Sequence, residues 1–351
     1  MKDIGSIFPI NDKDFNNDLQ AIPENTNKKL FSLCREALSE IAKYELPHGN
    51  VVLIPAYTCE TVITPFIKNG WECKYYPINK DLTINVEETE ELYKQSGASM
   101  IVVLPFYGMD LNTMELQLLD EIHNCGGKII VDLTQCLFTD QVVANADYYV
   151  ASYRKWFQIP DGAYLSSKDN FDLQLTEENE IFVKLQSEAM YLRGLYFETQ
   201  NERLKQISIH LSKMADCNIK FDLDGRKMSA LSYSIMQSVD MNAVKSARMD
   251  NYKYLFRNIK ASKYCMPICN DLNKVTSAPL YFPIYSNNRS YLQKALIEQH
   301  IYAPVLWPVE YEDVLIDDNT RYIYDSMLAI PVDQRYDLLD MSKIVNILNQ
   351  L

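Results

Sequence analysis

The sequence lacks the closely spaced cysteine and histidine pairs that bind structural zinc. Its eight cysteines include no Cys-x-x-Cys pair, and its four histidines form neither His-x-x-His nor His-Glu-x-x-His. Because protein zinc sites are built from such spacings, we expect no metal site. Several cysteines stand inside apolar runs, as Cys136 does. We therefore expect the cysteines to be reduced thiols buried in the core.

An excess of positive charge is also missing. The chain has 34 lysines and arginines against 47 acidic residues, which gives a formal net charge of -13. A chain with this balance attracts neither nucleic acid nor an anionic membrane surface. We expect neither of them as a partner.

Long apolar runs are missing as well. The absence of any stretch of about 18 uninterrupted apolar residues predicts that no segment spans a membrane. The first residues include Asp3 and no long apolar stretch, so we expect no signal peptide. Together with cysteines expected to be reduced, these features predict a cytoplasmic protein.

The composition that is present belongs to a globular protein with a sizeable core. Of the 351 residues, 47% are hydrophobic and 23% are charged, and both values are ordinary. A chain of this length suits one large domain and one smaller domain. We predict a large domain over residues 1–245, with residues 1–28 as an N-terminal arm, and a small C-terminal domain over residues 246–351.

Short apolar runs alternate with helical patterns through the first half of the chain. Continuous apolar strands that alternate with helices are typical of an α/β fold with a mostly parallel central sheet covered by helices. The predicted strands are residues 51–56, 73–78, 100–106, 128–133, 146–152 and 163–166, and the predicted helices are residues 58–68, 86–95 and 113–124.

The second half of the chain predicts a different organisation. Residues 179–257 are mostly helical in pattern and contain no strong strand run. A strand at 279–285, a helix at 290–300 and a terminal helix at 341–348 follow. This order predicts a smaller C-terminal α+β domain after a long connecting helix.

Three of the predicted strands end in polar residues that could react with a ligand or form hydrogen bonds to it. One strand runs into Asp132, another ends at Ser152 and Lys155, and a third ends at Tyr57. In open α/β sheets, ligands collect at the carboxyl ends of the strands. We therefore expect the binding site among these residues.

Asp132 and Lys155 together suit pyridoxal 5′-phosphate (PLP). A lysine amine is readily desolvated to a neutral nucleophile, which can form a Schiff base with PLP. A carboxylate can keep the pyridine nitrogen protonated, so that the ring accepts electrons from the substrate. Plainer alternatives stay open at this point: Lys155 as a surface lysine, and Asp132 as a helix cap after a strand. The flanking Trp156 and Phe157 favour a buried strand end for Lys155.

At these positions the chain resembles the DegT/DnrJ/EryC1/StrS sugar aminotransferases, a family of fold-type I PLP enzymes. The resemblance runs from about residue 30 to the C-terminus and is clearest at residues 53–59, 132–135 and 152–162. It implies the fold of a fold-type I aminotransferase and PLP as the cofactor. It also implies a homodimer with its active sites at or near the subunit interface.

The resemblance implies a role for each matching residue. Asp132 corresponds to the partner of the pyridine nitrogen, and Gln135 to the contact of the ring hydroxyl. Ser152 corresponds to a phosphate ligand, and Lys155 to the Schiff-base lysine. For Ser152, an ordinary turn hydroxyl stays open as the alternative.

The chain departs from the family pattern at four places. The family usually spaces its serine and its Schiff-base lysine about two residues further apart than Ser152 and Lys155. The small phosphate-cradle motif falls at Cys34 and Arg35, where a helix start offers backbone amides and Arg35 adds a cation. The ring-stacking aromatic of the family is Cys59 here, so two alternatives stay open: Tyr57 takes over the stacking, or the stacking is lost. Residues 225–227 contain no asparagine, although the family has one there that reaches the neighbouring subunit's cofactor.

Four arginines are candidate substrate ligands. Arg154 and Arg226 could neutralise an anionic substrate, and for Arg154 an acidic neighbour is an equal alternative. Arg289 and Arg335 fall in the smaller domain, where fold-type I enzymes often place an arginine that binds a carboxylate.

From these residues we expect a PLP-dependent aminotransferase. It would move an amino group from an amino acid such as glutamate to a keto substrate, with a nucleotide-linked keto sugar as first choice. Two alternatives stay open, a PLP-dependent lyase or decarboxylase on the same fold and a non-catalytic descendant that binds PLP or a sugar. The joint presence of Asp132, Gln135 and Lys155 argues against the non-catalytic alternative.

Overall fold

The computed structural model describes residues 3–15, 28–169, 171, 173–220 and 222–351. Much of the predicted N-terminal arm, residues 1–2 and 16–27, lies outside the described residues.

The helices and strands of the described residues follow one another along the whole chain. The helices are α1 (Asp12–Phe15), α2 (Cys34–Glu45), α3 (Glu60–Lys68), α4 (Val86–Ser96), α5 (Thr113–Asn124), α6 (Glu180–Thr199), α7 (Glu202–Ile219), α8 (Ala230–Gln237), α9 (Met241–Asn258), α10 (Arg289–Glu298), α11 (Asp318–Ser326) and α12 (Leu338–Gln350). The strands are β1 (Ile4–Gly5), β2 (Lys28–Phe31), β3 (Val51–Pro55), β4 (Glu72–Tyr76), β5 (Met100–Val103), β6 (Lys128–Asp132), β7 (Tyr148–Ser152), β8 (Ala163–Ser167), β9 (Met266–Pro267), β10 (Tyr281–Tyr285), β11 (Ile301–Tyr302) and β12 (Met327–Pro331).

The described residues form two compact units. The first unit combines residues 3–5, Glu45–Asp147 and Asp240–Leu351. The second unit combines the described part of residues 6–44 with Tyr148–Val239. The sequence-based domain boundary at residue 245 stays a prediction, and that residue lies inside α9.

A parallel sheet in the first unit carries β6, β5, β3 and β4 in that order. All neighbouring pairs are parallel, with Val103 opposite Val131 and Val52 opposite Met100. β5 is buried along its whole length, because its apolar side chains are covered on both faces of the sheet. α3 and α4 pack against β4, and α5 packs against β6. The predicted α/β fold with parallel strands and covering helices is confirmed.

α5 begins and ends where its sequence signals place it. The Asn112 side chain accepts hydrogen bonds from the N–H groups of Met114 and Glu115, and the Glu115 carboxylate accepts from the Asn112 N–H. This reciprocal capping box fixes the first turn. Past the last turn, Gly126 adopts a left-handed conformation with φ 88°, which suits glycine. The bounds predicted for this helix are therefore correct.

The second unit contains an antiparallel sheet in the order β2, β8 and β7. Ser152 at the end of β7 pairs with Ala163 at the start of β8. The connection between these two strands contains Lys155, so the backbone on either side of this lysine is fixed by the sheet. α6 and α7 of the same unit pack against each other.

The C-terminal part of the first unit carries a separate antiparallel sheet, in the order β12, β10 and β9. One hydrophobic cluster joins this sheet to its helices through fully buried residues such as Leu255, Ile284, Leu296 and Ile344. This arrangement confirms the predicted α+β character of the C-terminal region. The sequence analysis missed β12, because this strand follows α11 with no intervening turn residues.

Ile4 joins the same cluster through a pairing that is distant in sequence. β1 runs parallel to β11, with Ile4 opposite Ile301 and Gly5 opposite Tyr302. The Gly5 N–H donates to the Tyr336 hydroxyl at 2.7 Å, and Ile4 is fully buried. These N-terminal residues are therefore an integral strand of the C-terminal region.

All eight cysteines are free thiols. The expectation that they are buried is correct for Cys136, Cys265 and Cys269, and wrong for Cys125 and Cys217, which are exposed. The two exposed thiols lie just after α5 and in the last turn of α7, where helix ends face solvent.

None of the helices in the described residues is long and apolar enough to cross a membrane.

Candidate functional site

β6 carries Asp132 at its carboxyl end. Only 5% of Asp132 is exposed, and its Oδ1 accepts a 2.8 Å hydrogen bond from the Thr134 N–H. This bond caps the 3₁₀ turn Leu133–Gln135, which is the capping role considered as an alternative. The cap also fixes the direction of the carboxylate, which a binding role at a strand end requires.

Gln135 ends the same 3₁₀ turn and is 3% exposed. Its Oε1 accepts a 3.3 Å hydrogen bond from the Tyr107 N–H. Because only the oxygen of a side-chain amide can accept from an N–H group, this bond sets the orientation of the amide. The Nε2 group of Gln135 is therefore the hydrogen-bond donor that a contact with a ring hydroxyl oxygen requires.

The loop after β5 that holds Gln135 has a fixed conformation. Tyr107 and Gly108 are both left-handed, with φ 50° and 84°. A Cβ on Gly108 would lie 2.5 Å from the Ser277 carbonyl oxygen, so the position requires glycine. The Gly108 N–H also donates to the Cys136 sulfur at 3.2 Å, and the Cys136 thiol donates to the Pro105 carbonyl. Burial raises the pKa of the Cys136 thiol, so Cys136 is a structural contact.

Tyr57 lies just after β3 and is fully buried. Its hydroxyl donates to the Leu306 carbonyl. Its ring centroid lies 5.1 Å from that of Trp307, 5.2 Å from that of Tyr324 and 5.5 Å from that of Phe106. Stacking of a cofactor ring on Tyr57 would therefore require this aromatic packing to open.

Cys59 is the residue before α3 and is partly exposed. Its sulfur accepts a 3.0 Å hydrogen bond from the Thr61 hydroxyl. A ligand can reach this thiol, but the position offers no aromatic face.

Lys155 belongs to the second unit and ends the 3₁₀ turn Tyr153–Lys155 that follows β7. Lys155 is partly exposed, whereas Ser152 before the turn is 3% exposed. Trp156 and Phe157, which follow Lys155, are 0% and 1% exposed. The chain thus holds a partly accessible amine between two buried stretches, which is the strand-end position expected from the sequence.

The start of α2 is the predicted phosphate cradle. Cys34 and Arg35 are both partly exposed in its first turn. Glu36 follows them at 1% exposure, and its Oε2 accepts from the N–H groups of Leu33 and Arg226, both at 3.3 Å. Burial raises the pKa of Glu36 to about 9. This acid is therefore protonated at neutral pH and adds little negative charge to the turn.

The two candidate arginines of the second unit have different surroundings. The Arg154 guanidinium lies 5.9 Å from the centre of the Phe182 ring and is partly exposed. The Arg226 Nε is paired with the Asp222 carboxylate at 2.9 Å. An anion would have to compete with Asp222 for Arg226.

The two candidate arginines of the first unit are also engaged. Arg289 donates to the Tyr324 carbonyl. Arg335 holds Asp333 with two hydrogen bonds, Nε to Oδ1 at 2.7 Å and Nη2 to Oδ2 at 2.8 Å. Burial opposes ionisation of Asp333, but the Arg335 charge outweighs it and lowers the Asp333 pKa. Binding of a substrate carboxylate by Arg335 would require this buried pair to rearrange.

The structure thus places the candidates in two groups. The first unit contains Asp132, Gln135, Tyr57, Cys59, Arg289 and Arg335. The second unit contains Cys34, Arg35, Ser152, Arg154, Lys155 and Arg226. Within each unit, one 3₁₀ turn at a strand end carries the main candidates. In the part of the chain that the structure describes, His, Cys, Asp and Glu form no cluster that could hold a metal ion.

Three buried residues near the candidates received no role from the sequence. They are Tyr107, whose N–H donates to Gln135, Glu36 in the first turn of α2, and Asp161, which lies just before β8. Weak signals exist for two of them. Glu36 stands three residues after Leu33, the spacing of a capping box, and Asp161 stands in a Pro-Asp-Gly turn sequence.

The sequence matches no protein-family model and no curated protein. Solved structures resemble the chain over most of its length. PseC of Helicobacter pylori, an aminotransferase involved in the biosynthesis of pseudoaminic acid, matches with a TM-score of 0.67 and 13% identity over 99% of each chain. A DegT DnrJ EryC1 StrS aminotransferase from Brucella abortus matches with a TM-score of 0.60 and 14% identity, over 92% of this chain and 85% of that chain.

A third structure is Spr1654 of Streptococcus pneumoniae, described as a sugar aminotransferase and solved in its PMP form. It matches with a TM-score of 0.65 and 13% identity, over 92% of this chain and 85% of that chain. At these identities the likeness establishes the fold. The chain has the fold of these aminotransferases, as the resemblance of its motifs implied.

Proposed function

We propose that this chain is a PLP-dependent aminotransferase, in which Lys155 binds PLP covalently and Asp132 partners the pyridine nitrogen. The observation that carries the proposal is the turn Tyr153–Lys155, which places the partly exposed Lys155 at the end of a buried strand. The aminotransferase fold of the chain supports it.

The donor groups of the candidate residues fit the chemistry of PLP. Lys155 offers an amine for the aldehyde, and Asp132 offers an oriented carboxylate for the ring nitrogen. Gln135 offers an amide donor whose oxygen is already occupied. The Ser152 hydroxyl and the start of α2, with its Arg35 side chain, suit the phosphate.

Bound PLP supplies an electron sink for the charge left on an amino-acid Cα when its proton leaves. With PLP bound, the Lys155 amine would serve as the general base that takes the proton from the substrate Cα and as the general acid that returns it. Asp132 keeps the pyridine nitrogen protonated through a charge-assisted hydrogen bond. Gln135 donates its Nε2 to the ring hydroxyl oxygen and so orients the ring.

The resemblance to sugar aminotransferases and the local charges support a proposal for the substrates. We propose glutamate or a similar amino acid as the donor and a nucleotide-linked keto sugar as the acceptor. Arg35 and Arg154 are partly exposed cations that could neutralise a diphosphate locally, in a chain whose net charge is -13. Arg226 and Lys227 support this less, because Asp222 and Glu177 already pair with them.

A spectrum and covalent trapping test the cofactor proposal. The purified protein should absorb visible light, and borohydride should fix PLP to the peptide that contains Lys155. K155A should lose this label, whereas K184A, which removes an exposed lysine of α6, should keep it. Labelling of a different lysine would overturn the assignment.

Half-reactions test the substrate proposal. Glutamate should convert the protein to its pyridoxamine form, and a panel of nucleotide keto sugars and simple 2-oxo acids should then be offered. Recovery with oxo acids alone would favour an amino-acid aminotransferase. Failure of every amino donor would favour a lyase or a non-catalytic binder.

We also propose that the protein is a cytoplasmic homodimer with its active sites at or near the subunit interface. The resemblance to fold-type I enzymes supports the dimer, and the free thiols support a reducing compartment. Analytical ultracentrifugation should find a dimer, and a fully active monomer would refute this part of the proposal.

A further inference from the structure

We propose that Asp161 is a positioning residue for Lys155, because its buried carboxylate ties the turn after Lys155 to the start of α8. The inference rests on the proposed function of Lys155 and adds a residue to which no role in the reaction has been given.

The backbone around Lys155 is held by the carbonyl oxygen of Gly162. This oxygen accepts hydrogen bonds from the Tyr153 N–H at 2.9 Å and from the Arg154 N–H at 3.2 Å. Both donors belong to the 3₁₀ turn that ends in Lys155. A displacement of Gly162 would therefore move the Lys155 amine.

Asp161 fixes the position of Gly162, its neighbour in the chain. Its Oδ1 accepts from the hydroxyl groups of Ser229, at 2.6 Å, and Ser232. Its Oδ2 accepts from the Ser229 N–H at 2.9 Å, and its own N–H donates to the Ser232 hydroxyl oxygen at 3.3 Å. Because Ser229 is the N-cap of α8, these bonds attach the turn to a helix of the same unit.

Gly162 has little freedom to move on its other side. Its N–H donates to the Ser32 carbonyl at 2.7 Å. With φ at 134°, a Cβ on Gly162 would lie 3.0 Å from side-chain atoms of Ile159 and Met228. The turn is thus attached both at Ser32 and at α8, and Asp161 makes the second attachment.

The attachment of the turn to α8 depends on the buried carboxylate of Asp161. Burial raises the pKa of Asp161, and the hydrogen bonds from Ser229 and Ser232 offset only part of this rise. Asparagine has the same shape but only one acceptor oxygen, so it can keep the bond from the Ser229 N–H only if the bonds with the two serine hydroxyls reverse direction. It also lacks the negative charge that strengthens these bonds. D161N therefore weakens this attachment without leaving a cavity.

The test compares the full-length D161N and S232A proteins with the wild type, each first freed of PLP and then given the cofactor again. D240N is the control, because Asp240 likewise accepts from backbone N–H groups at a helix start, that of α9. The rate at which added PLP becomes fixed to Lys155 and the pH midpoint of the visible band are measured. We expect D161N to slow fixation on the order of tenfold and to shift the midpoint, since small misplacements of a reacting group are costly. S232A should act more weakly in the same direction, and D240N should match the wild type.

A second measurement needs no cofactor. Amide hydrogen exchange at Tyr153 and Arg154 should be faster in D161N, because their acceptor, the Gly162 carbonyl, is then free to move. The D240N protein should show wild-type exchange at both residues.

The outcomes separate this inference from the proposed function. If D161N only lowers the melting temperature, with wild-type fixation, midpoint and exchange, Asp161 is merely structural and the inference is overturned. If the wild type is labelled on another lysine, the proposed function fails and the role of Asp161 toward Lys155 fails with it. Should D161N not fold, S232A decides by the same measurements.

Discussion

Glutamine in place of Glu36 should stabilise the protein by an amount that grows with pH. Glu36 is 1% exposed in the first turn of α2. Burial, together with the charges of Asp222 and Asp161, raises its pKa from 4.5 to about 9. The N–H groups of Leu33 and Arg226 oppose this shift only in part, since both bonds are long at 3.3 Å.

The magnitude follows from proton linkage. Between pH 4.5 and pH 9 the folded protein keeps the Glu36 proton while the unfolded chain has lost it, so the free energy of unfolding falls as pH rises. Each pH unit in this interval is worth about 1.36 kcal/mol. The wild type therefore loses about 3 kcal/mol by pH 7 and about 6 kcal/mol by pH 9. Glutamine has no proton to lose, so the advantage of E36Q should rise over this interval and level off above it.

Urea unfolding of the wild type and E36Q at a series of pH values from 5 to 10 measures this advantage. E40Q is the matched control on the same helix, because Glu40 accepts from the Gly225 N–H and pairs with Lys43. Its difference from the wild type corrects for the loss of a carboxylate from α2. An E36Q advantage that stays constant from pH 5 to pH 10 would refute the raised pKa of Glu36.

Two other substitutions test the residues around the 3₁₀ turn of the first unit. D132N should keep the covalent PLP band yet slow the half-reaction with an amino donor on the order of a thousandfold, about 4 kcal/mol of barrier, in single-turnover absorbance. An unchanged rate would leave Asp132 with its capping role alone. G108A should lower the free energy of unfolding by roughly 1–3 kcal/mol or more, because its Cβ would meet the Ser277 carbonyl oxygen at 2.5 Å. G70A has a similar φ of 87° and no atom within 4 Å, so an equal loss in both variants would mean that backbone strain alone is responsible.

The parts of the fold that the sequence predicts are those governed by local signals. The bounds of α5 follow from the Asn112 capping box and the glycines after Cys125. The strands β3, β5 and β6 of the parallel sheet follow from runs of valine and isoleucine, which suit a sheet covered on both faces. The turn that carries Lys155 was found because it follows the end of the short apolar run of β7.

The parts that the sequence does not predict depend on contacts between distant residues. Glu36 is desolvated, and one of its hydrogen bonds comes from the N–H group of Arg226, 190 positions further along the chain. Tyr57 is buried by Trp307 and Tyr324, which no local pattern connects to β3. Each of the two units is made of separate segments of the chain. Composition and periodicity instead predicted two consecutive domains with one boundary between them. Each of these features is fixed by tertiary packing, which overrides local propensity.

The pairing of β1 with β11 has a consequence for the order in which the protein is made. Ile4 leaves the ribosome 297 residues before its partner Ile301. At synthesis rates of about 5–20 residues per second, the first strand waits on the order of 15 to 60 seconds for its place in the core. Closing so long a loop also costs conformational entropy, which the contacts of β1 compensate only after they have formed. The hydrophobic cluster around Ile4 therefore completes only after β11 and the helices that follow it have been synthesised, and the nascent chain must keep β1 from pairing with other segments until then.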